Sequence, residues 1–426
     1  MNWVSTRGGS PPVPFIDALF AGTAPDGGLY FPDRFVPLAP GEVEALRGAS
    51  IVRIGTDVGS HLLAGEITPA QLEPLVADAL DFPIPLVQVS ERVYALELFH
   101  GPTFAFKDVG ARVQARLLHH FTDGTPLTIL VATSGDTGSA VAQAFHNVPD
   151  TRVFVLYPQG QVSDVQEAQM ASLGDNITAV SVRGTFDDCQ RLVKQAFADD
   201  DLRRHVWLTP ANSINLGRLL PQVFYYFVLA QLPRPPIVAV PSGNFGNLTA
   251  GLIAHRLGLP IARFVAATNV NDTVPVFLKS GRYEPRESIR TVANAMDVGA
   301  PSNFERITAL YGNDLDALRR DVTGVSYGDQ QIVAAIGDAW RRHGYLLDPH
   351  GAIGWLAVND ALAREGRDAI GVFLATAHPA KFREVVEPAT GTSVPLPAAL
   401  ADAAARPRHS IPMRASYDEL SALLRA

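Results

Sequence analysis

A single stretch decides the fold class of this chain: Ile-Val-Ala-Val-Pro-Ser-Gly-Asn-Phe-Gly-Asn, residues 237–247. The apolar run 237–240 is typical of a buried strand, and residues 248–257 follow a helical pattern. Glycines in the connecting loop let several backbone N–H groups converge at the helix N-terminus, which favours an anion. The stretch lacks the Gly-Lys-Ser/Thr of a P-loop and the dinucleotide fingerprint. Two interpretations are open: a phosphate-binding loop, or an ordinary turn with a capping asparagine.

Apolar strands and helices alternate along the rest of the chain. We predict further strands at 93–98, 127–132, 152–157, 177–182, 206–208, 264–268 and 370–374. We predict further helices at 70–80, 110–121 and 140–146. This succession indicates an α/β fold whose mostly parallel sheets are covered by helices on both faces. Proline-rich connectors favour three parts: an N-terminal segment (1–92), a smaller α/β domain (93–230) and a larger α/β domain (231–426).

Lysine is rare in this chain, and arginine supplies nearly all of the positive charge. The four lysines are Lys107, Lys194, Lys279 and Lys381. Lys107 lies among phenylalanines at the start of a helical pattern, where loss of water favours the neutral, nucleophilic amine. The alternative is a lysine whose stem covers apolar surface. We interpret Lys194 as part of a solvated helix face and Lys279 as a helix end, whereas Lys381 either reaches the site or begins a helix.

A second loop, Thr-Ser-Gly-Asp-Thr-Gly at 133–138, follows the strand predicted at 127–132. Its hydroxyl groups and backbone donors suit a carboxylate or a phosphate at a helix N-terminus, although a cluster of capping residues explains them too. A desolvated lysine, a phosphate-binding loop and a second anion loop in one α/β chain together indicate a pyridoxal phosphate enzyme.

Composition limits the other classes of function. The formal net charge of −8 and the pI near 5.8 argue against binding to nucleic acid. A single cysteine, Cys189, allows no intrachain disulfide, and no spacing of histidine and carboxylates suggests a metal site. No apolar run approaches the length of a membrane span, and no signal pattern stands at the N-terminus. We therefore expect no membrane partner and a cytoplasmic location.

Six motifs, in order over nearly the whole chain, resemble those of the threonine synthase family in its longer bacterial and fungal branch. They are Ser5-Thr-Arg-Gly-Gly9, Asp26-Gly-Gly-Leu-Tyr30, Gly101-Pro-Thr-Phe-Ala-Phe-Lys-Asp108, Ala132-Thr-Ser-Gly-Asp-Thr-Gly138, Pro241-Ser-Gly-Asn-Phe-Gly-Asn247 and Thr376-Ala-His-Pro-Ala-Lys-Phe382. The resemblance implies a fold-type II pyridoxal phosphate enzyme, similar to the tryptophan synthase β subunit. It also implies that the cofactor lies between two α/β domains.

The resemblance further implies how the cofactor is held. Lys107 is its covalent attachment point and the catalytic base. The implied cofactor-binding residues are Lys107, Gly243, Asn244, Phe245, Gly246, Asn247, Thr376 and Asp136. Thr376 corresponds to a threonine near the pyridine nitrogen, and Asp136 lies beside the phenolic oxygen. Some family members carry asparagine at that last position, and a carboxylate there would repel a phenolate.

The implied reaction converts O-phospho-L-homoserine and water into L-threonine and phosphate, the last step of threonine biosynthesis. The implied substrate-binding residues are Thr133, Ser134, Thr137, Asn212, Ser213 and Arg218. A guanidinium such as that of Arg218 suits bidentate contact with phosphate. The resemblance implies structural turns at His350 and His378. Open alternatives are a phospholyase or dehydratase that forms 2-oxobutanoate, and a silent ligand-binding relative. The sequence does not distinguish a monomer from a homodimer.

Overall fold

Three β-sheets and twenty α-helices form the structure, a computed structural model that describes residues 1–426. The strands are β1 (Trp3–Ser5), β2 (Tyr30–Pro32), β3 (Leu86–Gln88), β4 (Val93–Glu97), β5 (Leu127–Ala132), β6 (Thr151–Pro158), β7 (Ile177–Arg183), β8 (Leu208–Pro210), β9 (Ile237–Pro241), β10 (Arg263–Thr268), β11 (Val322–Ser326), β12 (Gly371–Ala375) and β13 (Ser410–Arg414). None of the helices has the length and hydrophobicity needed to span a membrane.

The helices connect these strands and cover the sheets. They are α1 (Phe15–Ala21), α2 (Pro40–Ala45), α3 (Ile51–Leu62), α4 (Pro69–Ala79), α5 (Lys107–Phe121), α6 (Asp136–Phe145), α7 (Asp164–Ala171), α8 (Phe186–Ala198), α9 (Asp200–His205), α10 (Leu216–Leu219), α11 (Pro221–Tyr226), α12 (Gly246–Arg256), α13 (Thr273–Ser280), α14 (Phe304–Leu310), α15 (Leu315–Asp321), α16 (Asp329–His343), α17 (Pro349–Leu362), α18 (Arg383–Thr390), α19 (Ala398–Ala405) and α20 (Tyr417–Arg425). Short 3-10 helices lie at Phe227–Gln231, Asn294–Met296 and Pro379–Phe382.

Two large, mostly parallel sheets determine where the site lies. The first has six strands in the order β11-β10-β9-β12-β4-β3, of which only the edge strand β3 is antiparallel to its neighbour. The second has five parallel strands in the order β13-β7-β6-β5-β8. In the first sheet Gly371 of β12 pairs with Val93 of β4 and with Ile237 of β9, so the carboxyl ends of these strands meet at one edge. The predicted α/β fold with mostly parallel sheets is confirmed.

Most predicted elements overlap the observed ones, with differences at their ends. Helices α5 and α6 begin at Lys107 and Asp136, several residues before the predicted starts at 110 and 140. Their first turns carry polar residues, so the apolar pattern begins later than the helix itself. The strand predicted at 206–208 lies instead at Leu208–Pro210, because α9 ends only at His205.

The predicted boundaries at 93 and 231 do not coincide with the sheets. Strand β4, predicted in the smaller domain, lies in the six-stranded sheet beside β12. Strand β13, predicted in the larger domain, lies in the five-stranded sheet beside β7. An apolar run indicates that a strand exists but does not identify its neighbours. The division of the chain into three domains stays a prediction.

A shared core joins one face of each large sheet. Alternate residues of β9, Val238 and Val240, belong to the same buried cluster as Ile129 and Val131 of β5. The intervening Ala239 faces a second cluster formed with α16 and α17. Strands buried on both faces appear in sequence as continuous apolar runs, and this is why they were predictable.

Candidate active site

A cavity of about 630 Å³ lies where strands of both large sheets end, and residues from both sheets line it. In parallel sheets, ligands bind at the carboxyl ends of the strands. All of the predicted catalytic, cofactor-binding and substrate-binding residues line this cavity. They are Lys107, Thr133, Ser134, Asp136, Thr137, Asn212, Ser213, Arg218, Gly243, Asn244, Phe245, Gly246, Asn247 and Thr376. The fold thus brings together residues that the sequence separates widely, while their individual roles stay predictions.

Lys107 is the first residue of α5, and the backbone before it is fixed to the end of β12. The Phe106 N–H donates to the Thr376 carbonyl oxygen at 2.9 Å. The Lys107 Nζ lies 5.8 Å from the centroid of the Phe106 ring. Burial lowers the pKa of Lys107 to about 8, and the nearby positive charges act in the same direction. The negative charge of Asp136 opposes this shift without cancelling it.

Asp136, the first residue of α6, lies buried in an ion pair. The Lys381 Nζ lies 2.6 Å from its Oδ1, to which the Gln166 side-chain amide also donates at 3.1 Å. Burial would raise the pKa of Asp136, but the charges of Lys381 and Lys107 outweigh it and hold the pKa well below its usual range. Asp136 therefore stays ionised. Lys381, which the sequence left between two roles, does not line the cavity but contacts it through Asp136.

The glycine loop between β9 and α12 has the features of an anion-binding loop. Phe245 adopts a left-handed conformation with φ of 62°, which turns the backbone into the helix N-terminus. A Cβ on Gly243 would lie only 2.8 Å from the Ala295 carbonyl oxygen. The side chain of Asn247 is buried, and its Oδ1 accepts hydrogen bonds from Tyr225 and Tyr226 at 2.7 and 2.8 Å. Its Nδ2 is left without a partner in the protein.

Arg218 is a second group in the cavity that could bind an anion. Its side chain is buried, and its Nη1 donates to the Ala211 carbonyl oxygen at 2.7 Å. Its Nε is buried without a hydrogen-bond partner. Burial lowers the pKa of Arg218 to about 10, so the guanidinium is still charged at neutral pH. A buried cation with a free donor at a cavity wall is suited to a negatively charged ligand.

The loop 133–138 has one hydroxyl group that bonds to the loop backbone and two that face the cavity. The Thr133 Oγ1 accepts hydrogen bonds from the backbone N–H groups of Gly135 and Gly138, at 2.9 and 2.8 Å. Ser134 and Thr137 donate to no group of the protein and line the cavity. Gly135 has φ of 139°, and a Cβ there would lie 2.4 Å from the Gln166 side chain. Thr133 therefore shapes the loop, whereas the other two hydroxyl groups are free for a ligand.

Several lining residues were not predicted, because they carry no local motif. His350, whose Nδ1 lies 2.5 Å from the Asp348 carboxylate, is buried and accepts a hydrogen bond from the Ala295 N–H at 3.3 Å. Lys194 is exposed as predicted, yet it also lines the cavity. The remaining polar residues that were missed include Asp187, Gln190, Gln222, Arg286, Glu287 and Ser288. Only the tertiary fold brings these segments to the cavity.

The residues present fit pyridoxal phosphate. The unpartnered Asn247 Nδ2 and the helix N-terminus beside it supply donors for a phosphate without a cationic side chain. The amine of Lys107, with its lowered pKa, suits an aldehyde. A buried, unpartnered polar atom otherwise destabilises a fold, so a ligand that completes these contacts accounts for them.

Comparison with known proteins identifies the family of this chain. Residues 80–376 match the family model described as pyridoxal-phosphate dependent enzyme. Together with the two sheets and the cavity, this match defines the class as a fold-type II pyridoxal phosphate enzyme. The flanking residues 2–80 and 351–423 match the models described as threonine synthase N terminus and threonine synthase, C-terminal. The chain belongs to the threonine synthase family, and the predicted class, cofactor and function are confirmed at that level.

Individual relatives cover nearly the whole chain. The threonine synthase of Haemophilus influenzae is 45% identical over 408 residues, which is 94% of each protein. The crystal structure of threonine synthase from Escherichia coli superposes with a TM-score of 0.94 at 41% identity and covers 100% of this chain and 99% of that one. The pyridoxal-phosphate-bound threonine synthase from Brucella melitensis has a TM-score of 0.92 at 39% identity, with 100% and 99% coverage.

Proposed function

We propose that this chain converts O-phospho-L-homoserine and water into L-threonine and phosphate, and that the predicted residues of the cavity carry out the reaction. One observation carries the proposal: the cavity contains a single activated amine and two chemically different devices for anions. The substrate and the cofactor each bear a phosphate, so an enzyme for this reaction needs two such sites.

The two devices suit different anions. The glycine loop has backbone and amide donors but no cationic side chain, which suits a phosphate that stays bound. Arg218 carries a full charge and a free Nε, which suits a phosphate that arrives as an ester and leaves as an ion of higher charge. Asn212, Ser213, Ser134 and Thr137 add polar contacts around the substrate. Thr133 contributes by holding the loop that carries Ser134 and Thr137.

Lys107 is the residue that moves protons. Its Nζ would hold the cofactor through the aldehyde, and its free amine would accept the proton from the substrate Cα. Pyridoxal phosphate, when bound, supplies an electron sink that makes this proton acidic. Thr376 would hold the pyridine nitrogen, and Asp136 would lie beside the phenolic oxygen. The Cβ proton is then lost as the Cγ–oxygen bond breaks, and it ends on the departing phosphate. The same Nζ gives the proton it took from Cα to Cγ, and water then adds its hydroxyl group at Cβ and its proton at Cα.

Product analysis tests the proposal. The purified enzyme is incubated with O-phosphohomoserine, and amino acids and keto acids are separated and quantified beside released phosphate. We expect threonine and phosphate in equal amounts and no product with Lys107→Ala. Release of 2-oxobutanoate in place of threonine would identify a phospholyase and overturn the proposal. A cytoplasmic location is part of the same proposal, since the substrate is a metabolic intermediate.

A further inference from the structure

A fully buried lysine connects three segments around the cavity. Lys381 lies in the 3-10 helix Pro379–Phe382 that follows β12, and none of its side chain is exposed. Its Nζ lies 2.6 Å from the Asp136 carboxylate at the start of α6 and donates to the Thr103 carbonyl oxygen, before α5, at 3.0 Å. The contact therefore runs from the end of the six-stranded sheet to a helix of the five-stranded sheet.

This pair decides the balance of charge around the amine of Lys107. The charged groups that act on Lys107 are Asp136 on α6, Lys381 on its 3-10 helix and Arg218 on α10. His350, on α17, acts on Asp136. Asp136 is the only negative group that acts on Lys107, whereas a second buried carboxylate, Asp108 on α5, interacts with Lys381 and Arg218. A buried carboxylate is stable only when it is paired, and Lys381 is the partner in direct contact with Asp136.

The pair also resolves a conflict in the proposed chemistry. A lone carboxylate beside the phenolic oxygen of the cofactor would repel a phenolate. When an ammonium is 2.6 Å from that carboxylate, the two side chains form a unit with no net charge. Lysine suits this place because its compact head on an unbranched stem can reach between two elements, whereas a planar guanidinium needs more room.

We propose that Lys381 is a positioning residue of the active site: it holds the Asp136 carboxylate in place and balances its charge where that carboxylate faces the cofactor and Lys107. Lys381 itself does not line the cavity and acts only through Asp136. The inference rests on the proposed role of Asp136 toward the cofactor. Its test measures the pH at which the site ionises and does not measure the product. A negative result for one proposal therefore leaves the other proposal intact.

The test is a pH titration of the holoenzyme without substrate. The absorbance band of the Lys107–cofactor linkage is followed in the parent, Lys381→Met, Asp136→Asn and the double variant. Lys279→Met is the matched control, because Lys279 is exposed and does not line the cavity. Loss of the positive charge in Lys381→Met should raise the midpoint by about one pH unit or more, and loss of the negative charge in Asp136→Asn should lower it. The midpoint of the double variant should lie between those of the two single variants, close to that of the parent.

Damage to packing would not give two opposite shifts of the midpoint that cancel in the double variant. If Lys381 merely fills space, Lys381→Met leaves the midpoint at the parent value, and the double variant keeps the low midpoint of Asp136→Asn. Either result would overturn the proposal. If one single variant does not fold, as judged by circular dichroism, the midpoints of the other single variant and the double variant can still be compared. Those two proteins differ by one charged side chain, so their midpoints should differ. If neither folds, a double variant whose midpoint is displaced from the parent by a full unit contradicts charge balance.

Discussion

Lys107 shows how the surroundings of one residue change its chemistry. An ordinary lysine at pH 7 is neutral in only about three molecules in ten thousand, whereas a pKa of about 8 leaves about one in ten neutral. Burial beside the Phe106 ring is the main cause, and the positive charges nearby add to it. The site gains a nucleophile and base at neutral pH because water is withdrawn from the amine.

Replacement of this amine tests its role directly. Lys107→Ala should abolish turnover and the absorbance band of the linked cofactor, while circular dichroism stays that of the parent. The side chain makes no hydrogen bond that the fold depends on, so folding should survive. Lys279→Met serves as the control and should keep both properties. Borohydride labelling of the parent that maps to Lys194, Lys279 or Lys381 would show that the attachment point lies elsewhere.

Arg218 is the residue on which substrate affinity should depend. Arg218→Ala should keep the absorbance band of the linked cofactor, with only a small rise in its pH midpoint, because Arg218 is the weakest of the charges that act on Lys107. The value of kcat/KM for O-phosphohomoserine should fall by about a hundredfold, since a charged hydrogen-bonding partner contributes about 3 kcal/mol. Arg282→Ala, at an exposed position of a loop, is the matched control. Inorganic phosphate should inhibit the parent competitively and the variant much less. Unchanged kinetics in Arg218→Ala would remove this residue from the substrate site.

At the scale of elements, the strand–loop–helix unit of β9 and α12 combines shape with electrostatics. The loop turns through the left-handed Phe245, and helix α12 begins at Gly246 with its N-terminal donors toward the cavity wall. A Cβ on Gly246 would meet nothing closer than the Asn303 side chain at 3.4 Å. A methyl group therefore fits at this position, whereas an added negative charge would oppose a bound phosphate.

Two substitutions at Gly246 separate space from charge. Gly246→Ala should keep near-parental cofactor affinity, because the methyl group makes an ordinary contact. Gly246→Asp should weaken cofactor binding by tenfold or more, since a carboxylate beside a phosphate costs about 1.4 kcal/mol or more. Cofactor affinity is measured by titration of the cofactor-free protein and observation of the absorbance band. Equal affinities of the two variants would place the phosphate elsewhere.

Central strands were predictable from the sequence, whereas most edge strands were not. Strands such as β5 and β9 are buried on both faces, so their apolar runs stand out. The edge strands β3 and β13 were missed because most of their residues are exposed or half-buried, and Pro412 lies within β13. An apolar run does not identify the neighbours of a strand, so the pairing of β4 with β12 was not predictable from the sequence.

At the scale of the whole molecule, the cavity depends on both sheets at once. Lys107 and Thr376 come from elements at the six-stranded sheet, whereas Asp136 and Asn212 follow strands of the five-stranded sheet. A ligand that contacts all of them ties the two sheets together. Binding to the folded state alone raises the free energy of unfolding in proportion to the logarithm of ligand concentration over Kd.

Removal of the cofactor should therefore destabilise the whole protein. At a thousandfold excess over Kd, a cofactor that binds only the folded state contributes about 4 kcal/mol. We expect calorimetry to show a higher unfolding midpoint for the holoenzyme than for the cofactor-free protein, and re-addition of pyridoxal phosphate should restore it. Pyridoxal without the phosphate should restore less. Identical midpoints with and without cofactor would contradict a site shared by the two sheets.

Motif residues of the site could be predicted, but contacts between distant segments could not. Lys107 and the glycine loop have local chemical signatures, and both lie where expected in the cavity. The ion pair of Asp136 with Lys381 joins two motifs whose proximity only the fold creates. His350 was likewise assigned only a structural turn, although it lines the cavity. Sequence patterns therefore identified the chemistry, and the tertiary structure was needed to find its supporting groups.

In the proposed reaction, this enzyme expels phosphate from O-phosphohomoserine and adds water at the neighbouring carbon. The most direct measurement is the reaction in ¹⁸O-labelled water, with mass spectrometry of the products. We expect threonine with one ¹⁸O in its hydroxyl group, and phosphate without label, because the carbon–oxygen bond breaks and the phosphate leaves with its own oxygens. Labelled phosphate together with homoserine would indicate a phosphatase, and 2-oxobutanoate would indicate elimination without addition of water at Cβ. Either result would contradict the proposed reaction.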